Sequence, residues 1–289
     1  KIMNAQNLHI DNLEEKSLDF FSAGKIAWEK SEADVWESLS SQIENVPGGR
    51  EISIFSRVIK YAAAAVLFLL VSLGAATFLF TKTVTSLPGE HIVANLPDGS
   101  TIELNAGSSV KYYPLKWQFE RKLNFEGEGF FDVQKGNDFK VESKNGITQV
   151  LGTSFNIYAR ENNYRVTCLT GLVKVTSLSE KTVMLQANSH VEIERGEFIV
   201  KKNYQTEKVV AWKNNLFYFS GTPLKEVIDE IERQYGVTVQ IIPELHDRNF
   251  AGNFPKKYNV EEVLDFVCKT MAVKFVKQSE NVYLVVEKS

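Results

Sequence analysis

Apolar and polar positions change their spacing along the chain and divide it into four zones. In the first zone, apolar residues recur every three or four positions over 13–23 and 33–46, which predicts two amphipathic helices. An uncharged apolar run at 61–80 forms the second zone. Over 93–199, apolar and polar residues alternate in short runs between turn residues, which predicts β-strands. The fourth zone, 212–287, combines strand patterns with two helical stripes and predicts a small α/β domain.

The run at 61–80 is long enough to cross a membrane, because about 20 helical residues span about 30 Å, the thickness of a bilayer core. Its length and lack of charge disfavour a buried core helix, and its distance from the N terminus disfavours a signal peptide. Arg50, Arg57 and Lys60 precede the run, whereas Lys82 stands almost alone after it. The positive-inside rule therefore predicts a cytoplasmic N terminus.

The first zone carries many aromatic residues for so short a segment. Ser31 and Asp34 indicate the start of its second helix, and Pro47-Gly48-Gly49 indicates the end. Two readings stay open for the large apolar side chains, which either pack on one another or form a surface for a cytoplasmic protein. The candidate partner-binding residues are Phe20, Phe21, Trp28, Trp36 and Leu39.

Composition excludes several functional classes. The chain has 33 basic and 36 acidic residues and a net charge of -3, which argues against direct nucleic-acid binding. Four scattered histidines and two cysteines predict no metal site, and the sequence contains no cofactor motif. Cys168 and Cys268 are either two separately buried thiols or a disulfide.

Four motifs follow one another in the alternating zone: LPDGS at 96–100, LN at 104–105, FEGEGFFDV at 125–133 and VLGTSFNI at 150–157. Their order and spacing resemble those of the FecR family, whose members are membrane-anchored regulators of extracytoplasmic-function sigma factors. The usual family pattern has Ala at the position of Gly129. The resemblance implies an inner-membrane protein that passes the membrane once, with its C terminus in the periplasm.

Within the third motif, Glu126 and Glu128 are two residues apart, so a strand places them on one face. Paired carboxylates can perform acid–base chemistry, but no nucleophile or metal ligand accompanies them, and we interpret them as structural. Gly127 and Gly129 indicate a bulge or a close backbone approach.

The fourth motif contains Gly152-Thr153. A Thr hydroxyl can attack the preceding carbonyl in a strained turn and form an ester that water then cleaves. Some members of the FecR family are split at this Gly-Thr bond, and the resemblance implies self-cleavage as one reading. The other reading is an ordinary turn into the next strand.

The last zone predicts the order βαβ-βαβ-β, with Thr222-Pro223 capping the first helix, Pro223 as the first residue of that helix, and Asn259 capping the second helix. It resembles the C-terminal domain of Bacteroidetes FecR-like proteins, which is similar to the short N-terminal domain of secretins and TonB-dependent receptors. Such modules bind other modules, often by strand addition. The candidate residues for binding a transporter signalling domain are Phe217, Phe219, Val237 and Val239.

The sequence therefore predicts a multidomain chain with α-helical, transmembrane, all-β and α+β parts. The predicted parts are a cytoplasmic helical sigma-binding region (1–57), a transmembrane helix (61–80), a linker (81–91), an all-β FecR-like domain (92–201) and a C-terminal α/β domain (212–289).

The resemblance implies an anti-sigma factor that sequesters an extracytoplasmic-function sigma factor. Its periplasmic part would respond to a TonB-dependent outer-membrane transporter, and membrane proteases would relay the signal by cutting near 80–95. The main alternative is a bitopic envelope adaptor without a sigma partner. We do not expect an enzyme, since no catalytic constellation is evident apart from the Gly152-Thr153 bond.

Overall fold

The computed structural model describes residues 30–44 and 54–288. Contacts divide the chain into two units, Lys1–Val66 and Leu67–Ser289. The predicted helix at 13–23 and the side chains of Phe20, Phe21 and Trp28 lie outside the described residues. The helices are α1 (Glu32–Glu44), α2 (Ile54–Leu79), α3 (Thr206–Val209), α4 (Leu224–Tyr235) and α5 (Val260–Thr270).

Helix α1 begins where the sequence predicts, because Ser31 and Asp34 cap it reciprocally. The Asp34 backbone N–H donates to Ser31 Oγ at 3.3 Å, and the Ser31 backbone N–H donates to Asp34 Oδ2 at 3.1 Å. These two bonds satisfy donors that a helix start otherwise leaves free.

Helix α2 contains residues 61–79 of the predicted apolar run and begins seven residues before that run. Its segment Val58–Ala76 has a mean hydropathy of 2.1 and is long and apolar enough to cross a membrane. Its described side chains, from residue 58 onward, are almost all exposed, so this helix lacks the packed surroundings of a soluble core helix.

The β-rich region consists of two antiparallel-dominated sheets that share one long strand, β5. Its strands are β1 (Lys82–Ser86), β2 (Ile92–Asn95), β3 (Thr101–Leu104), β4 (Ser108–Tyr112), β5 (Arg121–Asp132), β6 (Phe139–Ser143), β7 (Gly146–Val150), β8 (Ser154–Arg160), β9 (Asn163–Cys168), β10 (Leu172–Thr176), β11 (Thr182–Gln186), β12 (Ser189–Glu194) and β13 (Glu197–Lys202). We call β11-β10-β7-β6-β5-β4-β1 sheet A and β13-β12-β9-β8-β5-β3-β2 sheet B. The predicted β-rich domain is confirmed.

Strand β5 passes from sheet A to sheet B at Gly127. Up to Glu126 it pairs with β4, and from Gly127 onward it pairs with β8. Gly127 has φ +112°, and a Cβ there would lie 2.3 Å from Ser108 Oγ. The predicted close backbone approach is therefore present, and it allows one strand to serve both sheets.

Residues 82–86 are a strand rather than part of the predicted linker at 81–91. They form β1, which pairs antiparallel with β4 from Lys82↔Tyr112 to Ser86↔Ser108. Buried Ser86 donates to the Asn105 carbonyl and accepts from the Ser108 backbone N–H at 3.0 Å. The alternating Lys-Thr-Val-Thr-Ser pattern is short, and its sheet partner lies more than 20 residues away, so local sequence does not reveal the pairing.

The C-terminal module follows α3. Its remaining strands are β14 (Leu216–Pro223), β15 (Thr238–Ile241), β16 (Asn249–Pro255), β17 (Val273–Ser279) and β18 (Val282–Glu287). Pro223 is the residue before α4 and not its first residue, and Gly236 ends that helix at φ +65°. Asn259 caps α5 in a reciprocal pair with Glu262.

The strands of the module belong to two small sheets. β14 pairs antiparallel with β16, while β18 pairs in parallel with β15 and antiparallel with β17. The strands on either side of α4, β14 and β15, therefore lie in different sheets, as do β16 and β17 on either side of α5. The chain order is the predicted one, but it does not produce two self-contained βαβ units. Strands of the first half, β14 and β15, pair with strands of the second half, β16 and β18.

The β-rich region and the module have separate hydrophobic cores. Cys168 lies in the first core and Cys268 in the second, and both are free, buried thiols. Burial raises the pKa of Cys168 to about 11 and that of Cys268 to about 12, so both stay protonated and unreactive.

Candidate functional site

Helix α1 carries an apolar stripe without a cover among the described residues. Trp36 is 65% exposed and Ile43 is 69% exposed, with Val35 and Leu39 beside them on the same helical face. An exposed apolar stripe of this kind is typical of a binding surface. Two of the five predicted partner-binding residues, Trp36 and Leu39, thus lie on a surface, and the other three lie outside the described residues.

The Gly152-Thr153 bond lies in the turn between β7 and β8. Gly152 has φ +155°, and a Cβ there would lie 2.7 Å from Lys135 Cα. Thr153 is buried, and its Oγ1 has no hydrogen-bond partner among the described residues. The Thr153 carbonyl accepts a hydrogen bond of 3.0 Å from the Val133 backbone N–H, which holds the turn against the end of β5.

The four predicted transporter-binding residues lie inside the module. Phe217, Phe219 and Val239 are buried in its core, and Val237 packs against that core. The three buried side chains cannot contact a partner unless the module opens, whereas Val237 is partly exposed. Their periodic apolar pattern reflects core packing, so any strand addition would have to use the backbone edges of the sheets.

The polar residues of three motifs meet at one buried place. The Asn105 side-chain amide donates to Glu128 at 2.8 Å, and the Asn156 amide donates to the other carboxylate oxygen of Glu128 at 3.1 Å. Arg160 donates to the carbonyls of Ala106 at 2.8 Å and Gly107 at 3.1 Å. These bonds join the β3–β4 turn, β5 and β8.

Helix α4 completes this arrangement from the C-terminal module. Gln234 donates to Asn105 Oδ1 at 2.6 Å and to Glu230 at 2.9 Å. Arg233 donates a hydrogen bond of 2.9 Å to the Glu230 carboxylate, and the Asn105 side-chain amide donates one of 3.3 Å to the same carboxylate. We call this set the polar cluster; its members are Asn105, Glu128, Asn156, Arg160, Glu230, Arg233 and Gln234.

The two carboxylates of the polar cluster have different electrostatic environments. Burial raises the pKa of Glu128 above its usual value, and the neighbouring charge of Glu230 adds to this shift. Burial also acts to raise the pKa of Glu230, but the positive charges of Arg233 and Arg160 outweigh it and lower that pKa. The cluster therefore favours an ionised Glu230 beside a Glu128 that retains its proton to higher pH.

Glu126 and Glu128 have different roles although they are two residues apart. Glu126 is exposed and pairs with Lys144 at 3.0 Å, whereas Glu128 is buried beneath α4. Both carboxylate oxygens of Glu128 accept hydrogen bonds within the polar cluster, so this carboxylate holds the structure together. The structural interpretation of this motif agrees with that geometry.

Further contacts connect the module to the β-rich region around the polar cluster. Arg165 forms an ion pair with Glu226, and Lys213 forms one with Glu103 at 2.9 Å. The His91 ring packs edge-on against the Trp212 ring, with 5.4 Å between the ring centroids. Charged and aromatic contacts thus extend across the boundary and hold the two domains in one arrangement.

The sequence motifs contain one half of the polar cluster and not the other. Asn105, Glu128 and Asn156 belong to the motifs, whereas Glu230 and Gln234 do not. A signal for these two exists, since Glu230, Arg233 and Gln234 follow the i, i+3, i+4 spacing of one helical face. That polar face lies beside the apolar stripe of α4, and because most polar helix faces meet solvent, the spacing alone does not indicate burial.

Two family models match this architecture. The model described as FecR protein matches residues 82–174, and the model described as FecR, C-terminal matches residues 216–285. Together they cover more than half of the chain, one on the β-rich region and one on the module. The chain belongs to the FecR family.

Similar solved structures come from Parabacteroides distasonis ATCC 8503. One, described as a "putative anti-sigma factor", is 28% identical and has a TM-score of 0.67. The alignment covers 73% of this chain and 100% of that structure. A second, described in the same words, is 29% identical with a TM-score of 0.66, and 72% of this chain covers all of it. No curated protein sequence matches the chain significantly.

Proposed function

We propose that this protein is a single-pass inner-membrane anti-sigma factor that sequesters an extracytoplasmic-function sigma factor in the cytoplasm. The observation that carries the proposal is membership of the FecR family together with the two similar structures described as anti-sigma factors. The helix at Val58–Ala76 supports it, because such a regulator needs a membrane anchor between its two parts. The family is regulatory, so the proposed activity is binding and not catalysis.

The sigma factor would bind the apolar stripe of α1. Trp36, Leu39 and Ile43 lie on one exposed face, and a large aromatic residue at the centre of such a face is a typical hot spot. Phe20, Phe21 and Trp28 would extend the surface. Binding would cover apolar area that otherwise faces water.

The C-terminal module would receive the signal from the signalling domain of a TonB-dependent outer-membrane transporter. Because Phe217, Phe219 and Val239 are buried, we expect the contact along a sheet edge. Among the described residues, β17 pairs only with β18 and carries the exposed apolar side chain Val276. A Val276→Asp substitution should weaken capture of the transporter's signalling domain, while Ser279→Asp at the end of the same strand serves as the charge control.

Membrane proteases would relay the signal by cutting the chain near 80–95. In the resting protein, β1 and β2 occupy most of this region and are paired in the sheets. A protease binds an extended, unpaired chain, so cleavage in β1 would require this strand to leave β4. β1 is the end strand of sheet A and pairs with β4 alone, so its separation breaks one strand pairing and leaves the other pairings of the sheet in place.

The proposal is tested with the full chain in detergent and with candidate extracytoplasmic-function sigma factors from the same cell. We expect saturable binding to one of them, and Trp36→Ala should weaken it at least about tenfold, the effect of losing a central aromatic contact. Glu37 lies outside the apolar stripe of α1, and Glu37→Ala is the matched control.

Two results separate the candidate functions. Binding that is lost in Trp36→Ala and kept in Glu37→Ala supports the anti-sigma factor and locates its surface. The anti-sigma proposal fails if a folded wild-type chain binds no sigma factor and if deletion of its gene leaves sigma-dependent transcription unchanged. The alternative, a bitopic envelope adaptor without a sigma partner, then replaces it. Circular dichroism of each variant shows whether α1 is retained.

A further inference from the structure

The turn between β4 and β5 presents two large apolar side chains to the outside. We call residues 113–120 the β4–β5 tip. Phe119 is 89% exposed and Leu115 is 47% exposed. Two exposed apolar side chains therefore occur within five positions of one turn, and apolar residues grouped in this way mark candidate interaction surfaces.

The β4–β5 tip has a defined structure. Pro114–Lys116 form a single 3-10 turn, and the Phe119 backbone N–H donates to the Lys116 carbonyl at 2.9 Å. Trp117 is buried at the base of the tip. Its ring centroid lies 5.4 Å from that of Tyr112 and 5.7 Å from that of Phe139. The core thus holds the tip through Trp117 while Phe119 points outward, so the exposure of Phe119 is built into the fold.

Strand register places this tip beside the end of the apolar helix. Helix α2 ends at Leu79, and β1 begins at Lys82, which is paired with Tyr112, the last residue of β4. In an antiparallel pair, the chain that precedes Lys82 and the chain that follows Tyr112 leave the sheet at the same end. Two connecting residues span at most about 10 Å, and neighbouring strands are about 4.8 Å apart, so the tip lies close to the helix end.

The charges at this end of sheet A fit a membrane surface. Lys82, Lys111 and Lys116 lie in or beside the tip, and Glu120 is the single acidic residue of 113–120. Aromatic residues together with lysines are the side chains that proteins place at the level of lipid headgroups. Lysines there attract anionic lipids, while aliphatic and aromatic groups enter the boundary with the acyl chains.

We propose that the β4–β5 tip docks on the lipid bilayer, with Phe119 and Leu115 in the headgroup region of the leaflet that contains the C-terminal end of α2. This inference rests on the proposed membrane span. The β-rich domain is then held to the membrane at two places, the helix end and the tip. Such a domain keeps one orientation above the bilayer instead of turning freely about residues 80–81.

The test uses the full chain in liposomes of phosphatidylcholine and phosphatidylglycerol. Three single variants, Phe119→Cys, Leu178→Cys and Leu70→Cys, each carry a fluorophore that responds to polarity. Cys168 and Cys268 are buried, so labelling is directed to the introduced thiol. Leu178 is the matched control, because it is 72% exposed and lies in the β10–β11 turn, at the opposite end of sheet A.

Quenching by nitroxide lipids then reports the position of each label. We expect a nitroxide near the headgroup to quench the label at 119 several-fold more than the label at 178, and aqueous iodide to do the reverse. If the labels at 119 and 178 are quenched equally while a nitroxide deep in the acyl chains quenches the label at 70, the docking of the tip is overturned and the membrane span stands. An unquenched label at 70 overturns the membrane span and this inference with it.

Discussion

Asn105 and Glu128 are joined by a hydrogen bond of 2.8 Å although they are 23 residues apart and belong to different sequence motifs. The same Asn105 side chain accepts from Gln234 of the C-terminal module at 2.6 Å. One amide therefore connects the β3–β4 turn, β5 and α4. The motifs that mark the β-rich domain also supply its contact with the module.

The first prediction concerns Asn105. Asn105→Ala removes the partner of Gln234 and one of the donors to Glu128, and it leaves buried polar groups without hydrogen bonds. We expect a loss of about 2–4 kcal/mol in the free energy of unfolding, which chemical denaturation measures. Hydrogen exchange should also become faster in α4, because the module loses its central contact with the β-rich domain.

Asn124→Ala is the control for this substitution, since Asn124 is exposed on β5, four residues before Glu128. Its stability should lie within about 0.5 kcal/mol of the wild type. Equal protection of α4 in both variants would show that the polar cluster does not hold the module.

The second prediction concerns Gly127, where β5 changes sheets. A Cβ there would lie 2.6 Å from Ser108 Cα, a backbone atom that cannot move aside without disturbing β4. Gly127→Ala also adopts an unfavourable φ, and we expect a loss of about 3–5 kcal/mol in chemical denaturation.

Gly196→Ala separates the two causes of that loss. Gly196 has φ +82°, but a Cβ added there would meet no atom of the described residues within 4 Å. The substitution therefore carries the cost of the unfavourable φ and no steric clash. We expect a loss of about 1–2 kcal/mol there. Similar losses at 127 and 196 would mean that the close approach to Ser108 is relieved at little cost.

The third prediction concerns pH. His190 is buried against Tyr204 and bonded to Thr167 at 2.7 Å, and burial, together with the charges of Arg165 and Lys201, lowers its pKa from 6.5 to about 4. A lowered pKa means that the folded state binds the proton less readily than the unfolded state. Stability is therefore full above about pH 6.5 and is lost as the pH falls toward 4, by up to about 3 kcal/mol.

The measurement compares the urea midpoints of the wild type and His190→Gln between pH 7 and pH 4. Gln can keep the bond to Thr167 but does not titrate, so the variant should lose less stability over this range. Parallel losses in the two proteins would assign the acid sensitivity to other groups.

Local patterns in the sequence predict the elements of this fold well. The cap of α1 at Ser31, the cap of α5 at Asn259 and the apolar run of α2 each depend on residues within one or two turns or on one continuous segment. Such short-range signals are readable because one helix satisfies its own backbone.

Long-range pairing is what the sequence leaves out. The strand at Lys82–Ser86 depends on β4, and the burial of Glu128 depends on Glu230 and Gln234, which are about 100 residues further along the chain. For the same reason the apolar pattern at Phe217 and Val239 is compatible with a binding surface, although these side chains fill the module's core. A single chain shows which positions are apolar but not which element covers them.

The last prediction concerns Gly152-Thr153. Thr153 Oγ1 is buried and has no hydrogen-bond partner among the described residues, and we propose that this hydroxyl performs the self-cleavage that the family resemblance implies. Attack of Oγ1 on the Gly152 carbonyl carbon forms an ester and frees the Thr153 amine, and water then yields a carboxylate at Gly152. We expect denaturing electrophoresis to show fragments 1–152 and 153–289, with hydroxylamine increasing their amount. Thr153→Ala should abolish the fragments, and Thr153→Ser should keep them.

The cleaved protein should remain folded, because strand pairing crosses the broken bond on both sides. β7 lies before the bond and pairs with β10 after it, while β8 lies after the bond and pairs with β5 before it. The fragments should therefore elute together in size exclusion without denaturant and separate only when unfolded. A single intact chain in denaturing gels, both in the wild type and in Thr153→Ala, would show that Gly152-Thr153 is only a turn into β8.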